Sequence, residues 1–342
     1  MRMIEMNRLS WIDAAKGISI ILVVLLHIID ELIPKKDITH TIEFLYQMER
    51  SIGRVAVPVF IMISGFLIIN KMSLANVKNI IINRVPVFIA LTISYSFITN
   101  LIFNIMYLNE FSPLLSFEQS FNLNKTHAYQ MWFMPVIVLL YVISPALRFF
   151  TLVSNNTNLV AIVTLVSLVI FIPTTALAIN NESPISIHIP PVHYILYFLI
   201  GYIVIENSSK IKFSRLYMAS AFIISIIVTS GIAITAEHSM TGSAEAVSWY
   251  TSIFTLISSI LFISLIMPMK PANNNPIVKI GRSSFGIYLF HLIPMFVVIK
   301  MCQASVIPLV LSIPISLVLT LLCCLLFTWL MSKNKYTKLL IA

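Results

Sequence analysis

Lys16 and His27 stand eleven positions apart inside the first apolar run of the chain, the stretch 11–33 (WIDAAKGISIILVVLLHIIDELI). An ionisable group in hydrocarbon is expensive, roughly 2.5–3.5 kcal/mol for Lys at the centre of a span, so such residues normally face a polar cavity or partner and mark function. Eleven residues make about three helical turns, which places both side chains on one face about 16 Å apart. One helix thus presents a cation for binding negative charge and, in line with it, a ring able to exchange a proton near neutral pH.

The elements that must position this pair are membrane helices. The 342 residues are 58% hydrophobic and only 10% charged, with a mean hydropathy of +0.95. These values lie outside those of soluble domains. Apolar stretches long enough to span occur near 11–33, 53–70, 85–107, 131–150, 157–178, 193–206, 216–236, 249–268, 284–302 and 305–331, the sixth being short. They are too long for barrel strands and lack a period of two, so the expected fold is an all-α integral membrane protein of about ten transmembrane helices. One transmembrane domain over 1–342 is expected. Arg2 and Arg8 precede the first run as they would in a signal peptide, but its length and the interruptions at Asp13 and Lys16 read as a retained span.

The net charge of +9 does not point to nucleic acid, because Lys and Arg fall singly or in small groups between apolar runs. Their distribution instead orients the chain. Fifteen lie on the side of the N-terminus (among them Lys78, Arg84, Lys210, Arg215, Lys279, Arg282 and Lys333) and five on the other (Lys35, Lys36, Arg50, Lys125, Lys300). Both termini are therefore expected in the cytoplasm. Lys16 then lies near the inner end of the first span and His27 near its outer end, with Arg54, opening the second span, at comparable depth. Lys78 and Arg84 add a basic inner mouth to the third. A long anionic ligand lying across the membrane would suit this arrangement. Cys302, Cys323 and Cys324 form no disulfide framework, and the histidines of the outer segments (His127, His188, His193, His238) have no metal-ligand spacing, so no metal site is expected.

Several stretches resemble a known family in order along most of the chain. They are WIDAAKGI from Trp11 continuing to His27, RVAVPVFIMISGF from Arg54, Trp132-Phe133 leading to Ser144-Pro145, and SFGIYLFH ending at His291. The pattern is similar to acyltransferase family 3, membrane enzymes that O-acylate surface polysaccharides and other acceptors. Within it, the pattern looks most like the single-domain O-acetyltransferases of enterobacterial surface glycans, the enterobacterial common antigen type included. Lys16 departs from the family, which usually has Arg at this position, separated from the histidine by ten intervening residues. Lys offers a point charge without the planar fork of a guanidinium.

The resemblance implies acetyl transfer from acetyl-CoA, on the cytoplasmic side of a bacterial inner membrane, to a hydroxyl of a glycan or lipid-linked glycan at the outer face. A sugar hydroxyl is a weak nucleophile at neutral pH and needs a general base, for which His27 is the candidate. Glu31, or Asp30, follows on the same helical face to orient the ring or hold the imidazolium. Arg54 is the candidate oxyanion donor. Lys16, Lys78 and Arg84 would receive the phosphates of CoA, and Trp132, Phe133 and His291 would meet the acceptor.

Plainer roles compete at each position: Lys16 can snorkel to the interface, Trp132 and Phe133 can belong to an aromatic belt, and His291 with Tyr288 can form a structural hydrogen bond. The segments 34–52 and 108–130 are expected to carry acceptor specificity, and 180–192, rich in Pro and polar residues, reads as a turn. A secondary transporter or glycan exporter would also have about ten spans, although transporters usually place their site between related halves. A non-catalytic glycan-binding protein would not need His27.

Overall fold

A computed structural model describes residues 9–33, 39–71, 74–122, 126–180, 191–210, 214–239, 243–335 and 337–341. Arg2, Arg8, Lys35, Lys36, Lys125, Lys212, His188 and most of the 180–192 connection lie outside these. Among the described residues the regular structure is entirely helical. In order, the helices are α1 (Ser10–Leu32), α2 (His40–Arg54), α3 (Ala56–Lys71), α4 (Leu74–Phe103), α5 (Pro113–Gln119), α6 (Phe133–Val153), α7 (Asn156–Asn180), α8 (Pro191–Glu206), α9 (Arg215–His238), α10 (Ala244–Ser248), α11 (Ile253–Ile266), α12 (Pro276–Arg282), α13 (Ser284–Phe290), α14 (Leu292–Ala304) and α15 (Leu309–Ser332).

Eight helical stretches are long and apolar enough to cross a membrane. A ninth arises if α13 and α14, bent by 57° at their junction, count as one, and α8 is a shorter apolar helix. Each stretch expected from hydropathy falls on one of these, and the fold is that of an all-α membrane protein. Helices suit this sequence because every backbone polar group is satisfied within the segment. Buried hydroxyls follow the same logic: Ser167 donates to the Val163 carbonyl at 2.6 Å and Thr175 to that of Phe171 at 2.7 Å.

The second stretch differs in extent from its expectation. Hydropathy places its start at residue 53, whereas the helical path begins at His40 and runs through α2 and α3 to Asn70. Gln47, Arg50 and Arg54 lower the local hydropathy, yet all three are buried, so a helix too polar to read as a span still packs inside the protein. Arg54 is the last residue of α2 rather than the first of a span.

The chain forms two compact units interleaved in sequence. The first comprises Met1–Val23, Ile38–Leu67 and Asn156–Ser284, and the second Val24–Asp37, Ile68–Asn155 and Phe285–Ala342. The helix α1 therefore gives Lys16 to the first and His27 to the second.

Inside the first unit, backbones meet at glycines. A Cβ on Gly65 would overlap the Phe198 carbonyl, one on Gly201 the backbone of Met62, one on Gly17 the Ile277 carbonyl, and one on Gly281 the Asp13 carbonyl. Small residues let membrane helices approach closely enough for dispersion to hold them. At the second of these crossings Arg282 donates from Nε to Asp13 Oδ2 at 3.2 Å and from its terminal nitrogen to Asn273 Oδ1 at 2.8 Å.

The second unit has its own core. Phe88, Leu91, Tyr95, Ala128, Met131, Met134 and Leu289 are buried together, with Phe285, Tyr288 and Phe327 packed against them.

Candidate functional site

In the second unit a buried polar residue of α4 organises the ground beneath the histidine of α1. Asn100 is fully buried, and its Oδ1 accepts from Thr126 Oγ1 at 3.0 Å and from the His127 backbone N–H at 2.7 Å. Thr126 Oγ1 in turn accepts from the Ala128 N–H at 3.0 Å. These bonds fasten residues 126–128 to the last turn of α4, and the chain then makes a 3-10 turn over Tyr129–Trp132 into α6. His127 stacks on Phe103 with ring centroids 3.7 Å apart, and burial holds its imidazole pKa below the ordinary value.

The turn delivers Tyr129 to His27, their rings edge to face at 5.1 Å. On another side His27 stacks against His291, centroids 5.4 Å apart and planes within 17°. Thus two histidines separated by 264 positions form one face-to-face pair. His291 sits at the junction of α13 and α14, the point of the 57° bend. Its Nδ1 lies 2.8 Å from the Tyr288 carbonyl and 3.1 Å from that of Ile287. A carbonyl only accepts, so Nδ1 carries the hydrogen and a neutral ring keeps its lone pair on Nε2. That Nε2 is buried and has no hydrogen-bond partner among the described residues.

A second buried group points to an occupant. The Gln130 side chain is 2% exposed, and neither its Oε1 nor its Nε2 has a partner among the described residues. Buried amides are normally paired, because an unsatisfied one costs about 1–3 kcal/mol. The Gln130 backbone carbonyl accepts from Tyr288 Oη at 2.6 Å, which ties the turn to α13. Phe133 lies edge-on to Tyr288 at 5.8 Å and to Trp132 at 5.8 Å. Glu31 is exposed, one turn beyond His27.

Of the nine residues singled out from sequence, seven belong to this unit. The structure brings His27 and His291 together and sets Phe133 beside Tyr288 with Trp132 against Phe133, while Lys78 and Arg84 are exposed on α4. Lys16 and Arg54 belong to the other unit. Arg54 is 6% exposed there, donates to Glu245 Oε1 at 2.9 Å and lies 3.8 Å from the Trp249 ring centre. Arg50 approaches the same carboxylate oxygen at 3.2 Å. Lys16 is half-buried on α1, next to the crossing with α12.

Sequence reasoning missed Asn100, Tyr129, Gln130 and Glu245. Asn100 carried the one available signal, a polar residue deep in an apolar run.

A family model described as an acyltransferase domain matches residues 9–329. The chain belongs to acyltransferase family 3. No curated protein and no solved structure matches it. For a family 3 member the chemistry is acyl transfer.

Proposed function

We propose that this family 3 protein is an O-acetyltransferase of the bacterial cytoplasmic membrane, moving the acetyl group of acetyl-CoA to a hydroxyl of a surface glycan or lipid-linked glycan. Acetyl-CoA supplies an activated thioester. The protein must then deprotonate the acceptor alcohol, stabilise the charge that develops on the carbonyl oxygen and return the proton to the departing thiolate.

His27 is the proposed base. It takes the hydroxyl proton as the acceptor oxygen attacks the thioester carbon and gives it to the CoA sulfur as the C–S bond breaks, ending neutral. The stacked His291 stays neutral throughout, since two imidazolium rings at 5.4 Å would repel. With its hydrogen fixed on Nδ1, it offers Nε2 as an acceptor for a second hydroxyl of the sugar, beside the one that His27 deprotonates. The Gln130 amide offers a donor and an acceptor to the same ligand. Trp132 can stack on a sugar ring, and Lys78 and Arg84 are the cations proposed for the CoA phosphates. Direct transfer requires only these groups and no acyl-enzyme.

The observation that carries this reading is the His27–His291 pair in contact with the turn that holds Gln130. Mass spectrometry of surface glycans tests it in cells expressing the wild-type protein, its His27→Ala variant or neither. An acetyl-sized mass present only with the wild type is expected. Acetylation that persists in His27→Ala at equal membrane levels would remove the base from the mechanism.

A further inference from the structure

We propose that His40, Glu43 and His238 form a binding site for a divalent d-block cation of the zinc class, joining the first turn of α2 to the last turn of α9. None of the three takes part in the acyl-transfer chemistry proposed above.

Local structure sets up the ligands. Thr39 caps α2, its hydroxyl accepting from the Ile42 N–H at 3.4 Å, so His40 and Glu43 fall one turn apart on the same helical face. The helix α9 ends at His238, beside them, because α2 and α9 pack together with Ser230 Oγ donating to Ser51 Oγ at 3.2 Å. Sequence spacing gave no sign of the site, since His238 is 195 positions from Glu43.

The distances match a metal polyhedron. With metal–ligand bonds of about 2.0–2.2 Å, neighbouring ligand atoms of a tetrahedral site lie about 3.3–3.6 Å apart. Glu43 Oε2 is 3.6 Å from His40 Nδ1 and 3.3 Å from His238 Nε2, and the three ligand atoms lie within 4.8 Å of one another. Only the gap between the two imidazoles has to narrow. The His40 side chain is 96% exposed and that of His238 57%, so an ion can enter and keep a water as its fourth ligand. Two imidazoles and one carboxylate favour Zn²⁺, Ni²⁺ or Cu²⁺ over Mg²⁺ and Ca²⁺, which prefer oxygen donors. In the orientation expected from the charge distribution, this end of α2 faces outward.

The test uses the full chain, purified in detergent, freed of any histidine tag and stripped with a chelator. Zn²⁺ is titrated against a chromophoric competitor, and the melting temperature is followed with Zn²⁺ or Mg²⁺. One Zn²⁺ per chain is expected in addition to any held by cysteines, with a rise in melting temperature that Mg²⁺ does not produce. Replacing His40 and His238 together by Ala should weaken that binding at least tenfold and abolish the rise. Because His40 is almost fully exposed, His40→Ala alone leaves the fold intact and should still weaken binding. Equal Zn²⁺ affinity in the wild type and the double variant, or no Zn²⁺ bound by the wild type at micromolar concentrations, would overturn the proposal.

Discussion

A neutral imidazole with one nitrogen committed to a backbone carbonyl can do one thing well, which is to accept a hydrogen bond donor at the other nitrogen. His291 is in that state, and its Nε2 is buried without a protein partner among the described residues. Replacing it by Phe keeps an aromatic ring in the stack with His27 and removes the acceptor. If His291 positions the acceptor sugar, transfer of label from acetyl-CoA in isolated membranes should fall by about tenfold, as the loss of one substrate hydrogen bond of about 1–1.5 kcal/mol implies. Melting temperature and expression should change little. A His291→Phe variant with the wild-type rate would confine the residue to packing. The pair itself was only half legible in the sequence. An ionisable residue inside an apolar run announces itself, and both histidines did so, but their contact depends on the bend at residue 291, and the run 284–302 reads as unbroken.

Among the elements, apolar runs were legible because the bilayer demands about 20 consecutive apolar residues and little else in a sequence imitates that. The helix α2 was not, because its polar residues are satisfied by protein rather than water: Arg50 and Arg54 share Glu245, which sits on α10 nearly 200 positions later. Crossings between elements were equally hidden, since a glycine in an apolar run does not reveal what it touches. The contact of α12 with the start of α1 makes the consequence measurable. A methyl group on Gly281 would overlap the Asp13 carbonyl and force the two backbones apart, loosening the Asp13–Arg282 pair that bridges the same crossing. Overpacking of this kind costs about 1–3 kcal/mol. Gly281→Ala should therefore lower the melting temperature in detergent by several degrees, whereas Gly231→Ala, with nothing within 4 Å of the added methyl, should leave it unchanged or raise it slightly. Equal midpoints for the two variants would show that the crossing yields without strain.

For the whole molecule, orientation rests on the parity of the spans, and parity rests on α8. Its 16 residues make a helix of about 24 Å, short of the roughly 30 Å hydrocarbon core. If α8 crosses, and α13 with α14 crosses as one bent span, the number of crossings is even and the two ends of the chain share a side. If α8 does not cross, everything after it is inverted, and Lys333, Lys335 and Lys338 would face the exterior against the rule that Lys and Arg concentrate inside. A short span is tolerated because the bilayer thins around it at a modest cost, fractions of a kcal/mol per Å. Placing three lysines and the Lys279–Arg282 pair on the wrong side has no such relief. We therefore expect α8 to cross. A green fluorescent protein fused after residue 342 should fluoresce, and alkaline phosphatase fused there should be inactive. Truncated fusions on either side of α8, after residues 180 and 210, should give opposite reporter states, phosphatase active at 180 and inactive at 210. The same state at both points would mean that α8 lies within one leaflet, and would put the C-terminal lysines outside.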